Sequence, residues 1–256
     1  MSKIKVLIFA GKSESTTLMF NGIKDYFHIE KVIIEAPVSK KTLLKRRIKS
    51  IGLVTVIGQV FFMVYSKLWL KKRSIKRINE IKNDSNLNDE SIDESIVSEV
   101  DSINSKETIR LLKEFQPNVV VVNGTRIIKK QIIDATEIPF VNTHAGITPK
   151  YRGAHGGYWA LTENDLKHCG VTIHLVDTGI DTGGILYQGL INPTSKDNFI
   201  TYPYLQMAVA IPLMKQAIND LAKQMHKTKD VYLSSKLWSH PTILEYLKHR
   251  ILHGVK

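Results

Sequence analysis

Short apolar runs alternate with longer stretches of helical periodicity along the first half of the chain. Ile4–Phe9 is a β-rich apolar run bounded by Gly11, the pattern of a strand buried on both faces of a parallel sheet. After the loop at 11–16, Leu18–Phe27 reads as a helix and Lys31–Glu35 as a second strand. Val119–Val122, with Pro117 before it and Asn123-Gly124 after it, reads as a third. Strands separated by helical patterns predict βαβ units, hence an α/β fold with a doubly wound, mostly parallel sheet that binds ligands at its carboxyl edge. Further on, Gly170–Val176 and Gly184–Ile191 read as strands around a Gly/Asp-rich turn. Tyr204–Met225 then reads as a long helix and Pro241–Ile251 as a shorter one. The N-terminal residues carry only a brief apolar run and no small-residue cleavage site, so they read as the first strand and not as a signal peptide.

About eighty residues separate the second and third strands, where an ordinary connection takes roughly 2–6. The spacing predicts a main domain over 1–200 with an insertion at 37–107, and a helical C-terminal extension over 201–256. The insertion begins with a basic, apolar helix. Its second half, Asp84–Glu107, is acidic and rich in Asn and Ser, and reads as a solvated loop or a loosely packed helix.

Charge sharpens this division. The chain has 36 Lys+Arg against 24 Asp+Glu, a formal net charge of +12. Twelve of the bases and none of the acids lie between Lys40 and Arg77, so the rest of the chain is neutral. A surface that is basic all over, of the kind that coats nucleic acid, is excluded. Within the same segment Ser50–Ser66 carries no charge, at the lower edge of what a membrane span needs. The strands on either side belong to one sheet, however, and a single crossing would part them. Three uses of the segment remain. In order of preference, it packs on the domain or on a second subunit in a homodimer, with its basic ends facing the acidic tract; it lies on a membrane surface through 43–77; or it binds a polyanion such as tRNA. The one cysteine, Cys169, reads as a buried small hydrophobe. With no disulfide and no Cys/His ligand spacing, the chain reads as cytoplasmic, with peripheral membrane attachment as the variant, and as metal-free.

The chemistry concentrates after a short apolar run at Pro139–Val141. Asn142 and His144 are two apart on an extended strand end and share a face. Asn offers an amide donor that cannot titrate away, and His exchanges a proton near neutrality. Some forty residues later, Asp177-Thr-Gly-Ile-Asp181-Thr-Gly-Gly184 has the glycines to bring a carboxylate back to the same place. An amide donor, an imidazole and a carboxylate suit acyl transfer through an oxyanion.

The order Asn142-x-His144, Pro149-x-Tyr151-Arg152-Gly153, Gly170-Val-Thr-Ile-His174 and Gly179-Ile-Asp181-Thr-Gly183-Gly184 resembles the signature of the folate-dependent formyltransferases. The family embraces glycinamide ribonucleotide transformylase, the catalytic domain of methionyl-tRNA formyltransferase and the amino-sugar N-formyltransferases. The resemblance covers residues 110–192 closely and the first strand and loop loosely. It implies a Rossmann-like catalytic domain that transfers formyl from 10-formyltetrahydrofolate to an amine, without a metal. Asn142 and His144 would stabilise the oxyanion, and Asp181 would polarise His144. Asn123, Gly124, Arg126, Ile127, Ile128, Asp177, Thr178 and Gly179 would lie on the folate side. Gly11, Lys12, Ser13, Tyr151, Arg152, His155 and Tyr158 are the acceptor-side candidates. His168, His174 and His240 read as surface or packing residues. The sequence departs from the family at Gly146, where Ser is commoner, and at Ile147-Thr148, where Leu-Leu or similar is commoner. The expected acceptor is a small-molecule amine, first an amino sugar on a nucleotide carrier. Methionyl-tRNA and glycinamide ribonucleotide are the alternatives, and a non-catalytic binding protein on the same fold is a further one.

Overall fold

A computed structural model describes residues 3–256. The main sheet comprises β1 (Lys5–Gly11), β2 (His28–Glu35), β3 (Val97–Val100), β4 (Val119–Asn123) and β5 (Phe140–His144), with β7 (Gly170–Leu175) and β8 (Ile185–Leu190). A separate two-stranded ribbon pairs β6 (Arg152–Gly153) with β9 (Leu237–Trp238). The main order is β3-β2-β1-β4-β5-β7-β8, parallel through β5, with β7 antiparallel to β5 and β8 antiparallel to β7. The expected mostly parallel α/β fold is present. Alternate residues of β1 enter opposite cores, Val6 and Ile8 on one face and Leu7 and Phe9 on the other. Such two-sided burial is why Val6–Ala10 of β1 and Val119–Val122 of β4 are unbroken apolar runs. The strand order reverses between β1 and β4, and a crevice opens at their carboxyl ends.

Nine helices surround the sheets among the described residues. α1 (Glu14–Ile23) starts earlier than its apolar pattern because the Ser13 hydroxyl caps it at Thr16 N. Next come α2 (Lys40–Ile51), α3 (Leu53–Tyr65) and α4 (Lys71–Asp84), and a π-helical turn at Ser66–Leu70 joins the last two. α5 (Lys106–Phe115) is followed by a single turn, α6 (Lys130–Ile133), then α7 (Gly156–Thr162), α8 (Tyr202–Ala222) and α9 (Ile243–His253).

Three expectations need correction. The acidic stretch is not a solvated loop: it holds β3, and Asn21 Nδ2 pins the connection before it by donating to the carbonyls of Asn88 and Glu90. An edge strand pairs on one side only, so Val97-Ser-Glu-Val100 satisfies its place without an apolar run. The insertion at 37–107 is therefore partly core, since Ile81 and Leu87 join the same cluster as Val6 and Val119. Nor is 201–256 an appended tail. Met207, Ile211, Met214 and Ile218 of α8 pack with Leu18, Met19 and Ile23 of α1 in the core on one face of the sheet.

Leu53–Asp84, 32 residues, is long and apolar enough by length and composition to cross a membrane. Its two ends lead to β2 and β3, which pair directly, so it leaves the sheet and returns to it on the same side. α3 packs through Val56, Gln59 and Phe62, the last stacked 4.6 Å from the Tyr246 ring of α9.

Candidate active site

β5 ends in the crevice and carries Asn142 and His144 there. Its antiparallel neighbour β7 sets His174 in register with Asn142. Asn142 Nδ2 donates to His174 Nε2 at 3.1 Å, and His174 Nδ1 donates to the Leu175 carbonyl at 2.7 Å, which assigns the Nδ1–H tautomer. His144 Nε2 donates to the Tyr151 carbonyl at 2.6 Å, and its Nδ1 lies 3.2 Å from Asp181 Oδ2. Asp181 sits in the left-handed region at φ 52, fixed by a 2.9 Å bond from Gly153 N to Oδ2, with Oδ1 3.7 Å from His174 Nε2.

Asn142, His144 and Asp181 thus converge, and His174 stands among them. The sequence reading set His174 aside as packing. The only signal for it was its position in the Gly170–His174 motif, and the strand register is what makes it a neighbour of Asn142.

Both nitrogens of His144 face oxygen acceptors, and only the doubly protonated ring satisfies both. Burial nevertheless pulls its imidazole below the ordinary value, against the opposing pull of Asp181 and the Tyr151 carbonyl. Burial alone would raise the Asp181 carboxyl, but the neighbouring His174 and His144 rings and the Gly153 N–H outweigh it and hold the group below the usual carboxylate range. The resting pair is a neutral imidazole beside an ionised carboxylate, arranged to take up one proton.

These residues line a cleft of about 350 Å³. Gly124, Arg126, Ile127, Ile128, Asp177 and Gly179 line it as expected, with Val122, Val176 and Ile180. Asn123 does not. It is buried, and its Nδ2 donates to Ser15 Oγ and Thr16 Oγ1 at 3.1 and 3.0 Å, tying β4 to α1. Thr178 is exposed on the loop and is not part of the cleft wall.

Arg126 lines the wall, and its guanidinium donates to Glu35 and to the carbonyls of Ala36 and Asp101. Buried Glu35 also accepts from Ile103 N at 2.7 Å and Arg126 N at 2.8 Å, and Asn104 holds the Ile127 carbonyl and Lys129 N. Glu35 and Asn104 thereby shape the loop at 126–129 from a distance, with no local signal in the sequence. Gln at 35 offers one acceptor oxygen to these donors and turns its NH₂ against the others. Glu35→Gln is expected to destabilise by about 1.5–3 kcal/mol. It should also raise KM for the formyl donor roughly tenfold with kcat little changed, because the loop lies beside the reacting centre and not in it. Thermal melts and initial rates check both.

The acceptor-side candidates divide. Tyr151 serves through its carbonyl, while its buried ring sends its hydroxyl to Asp165 at 2.9 Å. Arg152 donates to the Ile180 carbonyl at 3.2 Å and borders a depression of about 300 Å³ behind Asp181. Tyr158 is not an acceptor-site residue: its ring is buried among Trp159, Phe199 and Tyr246. Lys12 and Ser13 line a different pocket with Glu94 and Glu99, whose carboxylates oppose an anion. Gly11 lines neither; a Cβ there would come within 2.6 Å of the Gly124 carbonyl, so glycine lets the β1 and β4 ends meet.

His155, at φ 58, borders an apolar hollow of about 310 Å³ with Glu14, Lys71, Phe199 and Tyr204. Burial pushes its imidazole down to about 3, and neighbouring His240 adds to the effect. Between there and the unfolded value near 6.5 the unfolded chain binds the extra proton, so stability rises with pH and is lost on acidification. The slope from this one group reaches about 1.4 kcal/mol per pH unit. His155→Asn, which tolerates the left-handed backbone, should flatten the dependence in denaturant melts run across that range.

Residues 71–201 match the family model described as formyl transferase, half of the chain. The chain belongs to the formyl transferase family. Among curated proteins, the methionyl-tRNA formyltransferase of Finegoldia magna is 35% identical over 133 residues, 50% of this chain and 42% of that protein. That of Kosmotoga olearia is 39% identical over 101 residues, 39% of this chain and 32% of that protein. The formyl transferase chain therefore spans less than half the length of these relatives. Among solved structures, a sugar N-formyltransferase from Shewanella sp. aligns with TM-score 0.57 and 17% identity over 92% of this chain and 76% of its own. Glycinamide ribonucleotide transformylase 1 from Symbiobacterium toebii aligns with TM-score 0.57 and 15% identity over 89% and 95%. At these identities the structures establish the shared fold.

Proposed function

We propose that this formyl transferase moves the formyl group of 10-formyltetrahydrofolate to the amine of a small molecule, an amino sugar on a nucleotide carrier being the preferred acceptor. The observation that carries the reading is the convergence of Asn142, His144 and Asp181 over the cleft at the carboxyl end of β5. The cleft suits a flat heterocycle with polar edges: Val122, Ile128 and Val176 supply apolar walls, and Thr125, Asp177 and backbone groups supply the rim. When bound, 10-formyltetrahydrofolate supplies an electrophilic formyl carbon. Asn142 keeps one amide N–H on His174 and has the second for the formyl oxygen, where negative charge develops. His144 and Asp181 take the proton that the attacking amine must lose, held between Nδ1 and Oδ2, and His144 returns it to the departing nitrogen. For the acceptor, the hollow at His155 begins two residues from Gly153 of the cleft wall. It combines Glu14, Lys71 and the Tyr204 ring, a mixture suited to a sugar bearing charged groups.

A second reading, formylation of methionyl-tRNA, is favoured by the names of the curated relatives. One experiment separates them. The protein is incubated with 10-formyltetrahydrofolate and, in turn, nucleotide-linked amino sugars, glycinamide ribonucleotide and methionyl-tRNA, and tetrahydrofolate release is followed. Turnover with a sugar amine supports the proposal, and turnover with methionyl-tRNA alone replaces it. No turnover, with no folate binding by calorimetry, rejects formyl transfer altogether.

A further inference from the structure

We propose that the outer face of α2 and α3 docks on an anionic lipid surface. α3 is fixed to the body by one side only: Gln59 Nε2 donates to the His240 carbonyl at 2.5 Å, and Phe62 stacks on Tyr246. On the opposite side Val54, Ile57, Phe61, Val64 and Leu68 recur at spacings of three and four and form one exposed stripe, with Val54 at 84% and Phe61 at 62% exposure. Exposed Trp69 ends the stripe, with the Arg73 guanidinium 5.7 Å over its ring.

The charges decide what covers this stripe. Of the twelve bases between Lys40 and Arg77, Arg77 alone is ion-paired among the described residues, to Glu80 and Asp197. The acidic tract does not answer the others: its one ion pair with a neighbouring helix joins Asp89 to Lys82, outside the segment. Cations at both ends of an apolar row need a partner that supplies counter-charge and apolar depth together. A second copy of this chain would bring the two cationic sets face to face, and a phosphate backbone would leave the row of Val, Ile and Phe without gain. An anionic bilayer meets both needs, with the helix lying in the interface and Trp69 at headgroup depth. The direct pairing of β2 with β3 keeps the helix on the surface and not through it.

The test uses the full chain with extruded vesicles of phosphatidylcholine alone and of phosphatidylcholine mixed with phosphatidylglycerol, read by co-sedimentation. Wild type should bind the mixed vesicles and not the neutral ones, with a blue shift in Trp69 emission that Trp69→Phe removes. Phe61→Ser combined with Val64→Ser, and separately Lys45→Gln with Arg46→Gln and Lys49→Gln, should each weaken binding roughly tenfold or more. Tyr232→Ser, an exposed change elsewhere, should leave it intact, and circular dichroism confirms that every variant is folded. Absence of binding to the mixed vesicles overturns the proposal. So does a stable dimer that Phe61→Ser dissociates, or salt-sensitive RNA binding without vesicle binding.

Discussion

Asp181→Asn is expected to lower kcat/KM for formyl transfer by about two to four orders of magnitude, while the protein stays folded and binds the formyl donor. Asn at 181 keeps an oxygen that can accept from Gly153 N, so the loop holds its shape and the left-handed backbone suits the new residue. What disappears is the negative charge beside His144. That charge raises the imidazole against the depression caused by burial, so its removal must lower the imidazole further. On the proposed mechanism the acid limb of the pH–rate profile reports loss of the neutral imidazole that accepts the amine proton, and it should move to lower pH in the variant. A limb that moved up, or a rate near wild type, would mean that Asp181 does not act on His144. His144→Gln should remove the limb along with the activity. Asn142→Ala should cost about two to three orders of magnitude with the limb unmoved, since an amide donor has no proton to lose. A pH–rate series on the three variants separates proton transfer from charge stabilisation within one site.

Much of this arrangement is legible in the chain before any coordinates. Val119–Val122 and the apolar part of β1 can hardly be anything but buried strands, because nothing else accommodates apolar side chains at every position of so short a run. Asn142 and His144 are legible as a pair because strand alternation turns both the same way. β3 is not, since an edge strand needs no apolar run and its neighbours in sequence are acidic. His174 looks like one polar interruption of a core strand until antiparallel register brings it to Asn142. Glu35 ends a strand unremarkably; its importance comes from Arg126, 91 residues away. What escapes the sequence is pairing between distant segments, and each missed residue acts through such a pairing.

Gly146 turns the same logic into the second large effect. A Cβ there would lie 2.4 Å from the Tyr151 carbonyl oxygen, 2.8 Å from His144 Nε2 and 3.0 Å from Gly156 Cα. Two of these neighbours are backbone and the third is the buried His144 ring, so no flexible side chain can yield. Gly156 is under the same constraint from the other side, its own Cβ position being 2.6 Å from Gly146 Cα. The two glycines let the loop after β5 lie directly on the start of α7, where Gly157 N donates to the Ala145 carbonyl at 3.1 Å and Thr172 Oγ1 holds the Gly146 carbonyl at 2.8 Å. Gly146→Ala should therefore destabilise by about 1–3 kcal/mol through overpacking, lowering Tm by several degrees. It should also push the His144 ring off the Tyr151 carbonyl and reduce kcat about a hundredfold, the usual consequence of a displacement near 1 Å. Ser brings the same Cβ and should fare no better in this chain, because the facing Gly156 and Tyr151 backbone is already in contact. A Gly146→Ser variant that kept full rate and full stability would show that the loop opens without cost, and that the His144–Tyr151 bond is not part of the working geometry. Melting curves and single-turnover rates on the Ala and Ser variants decide between the two.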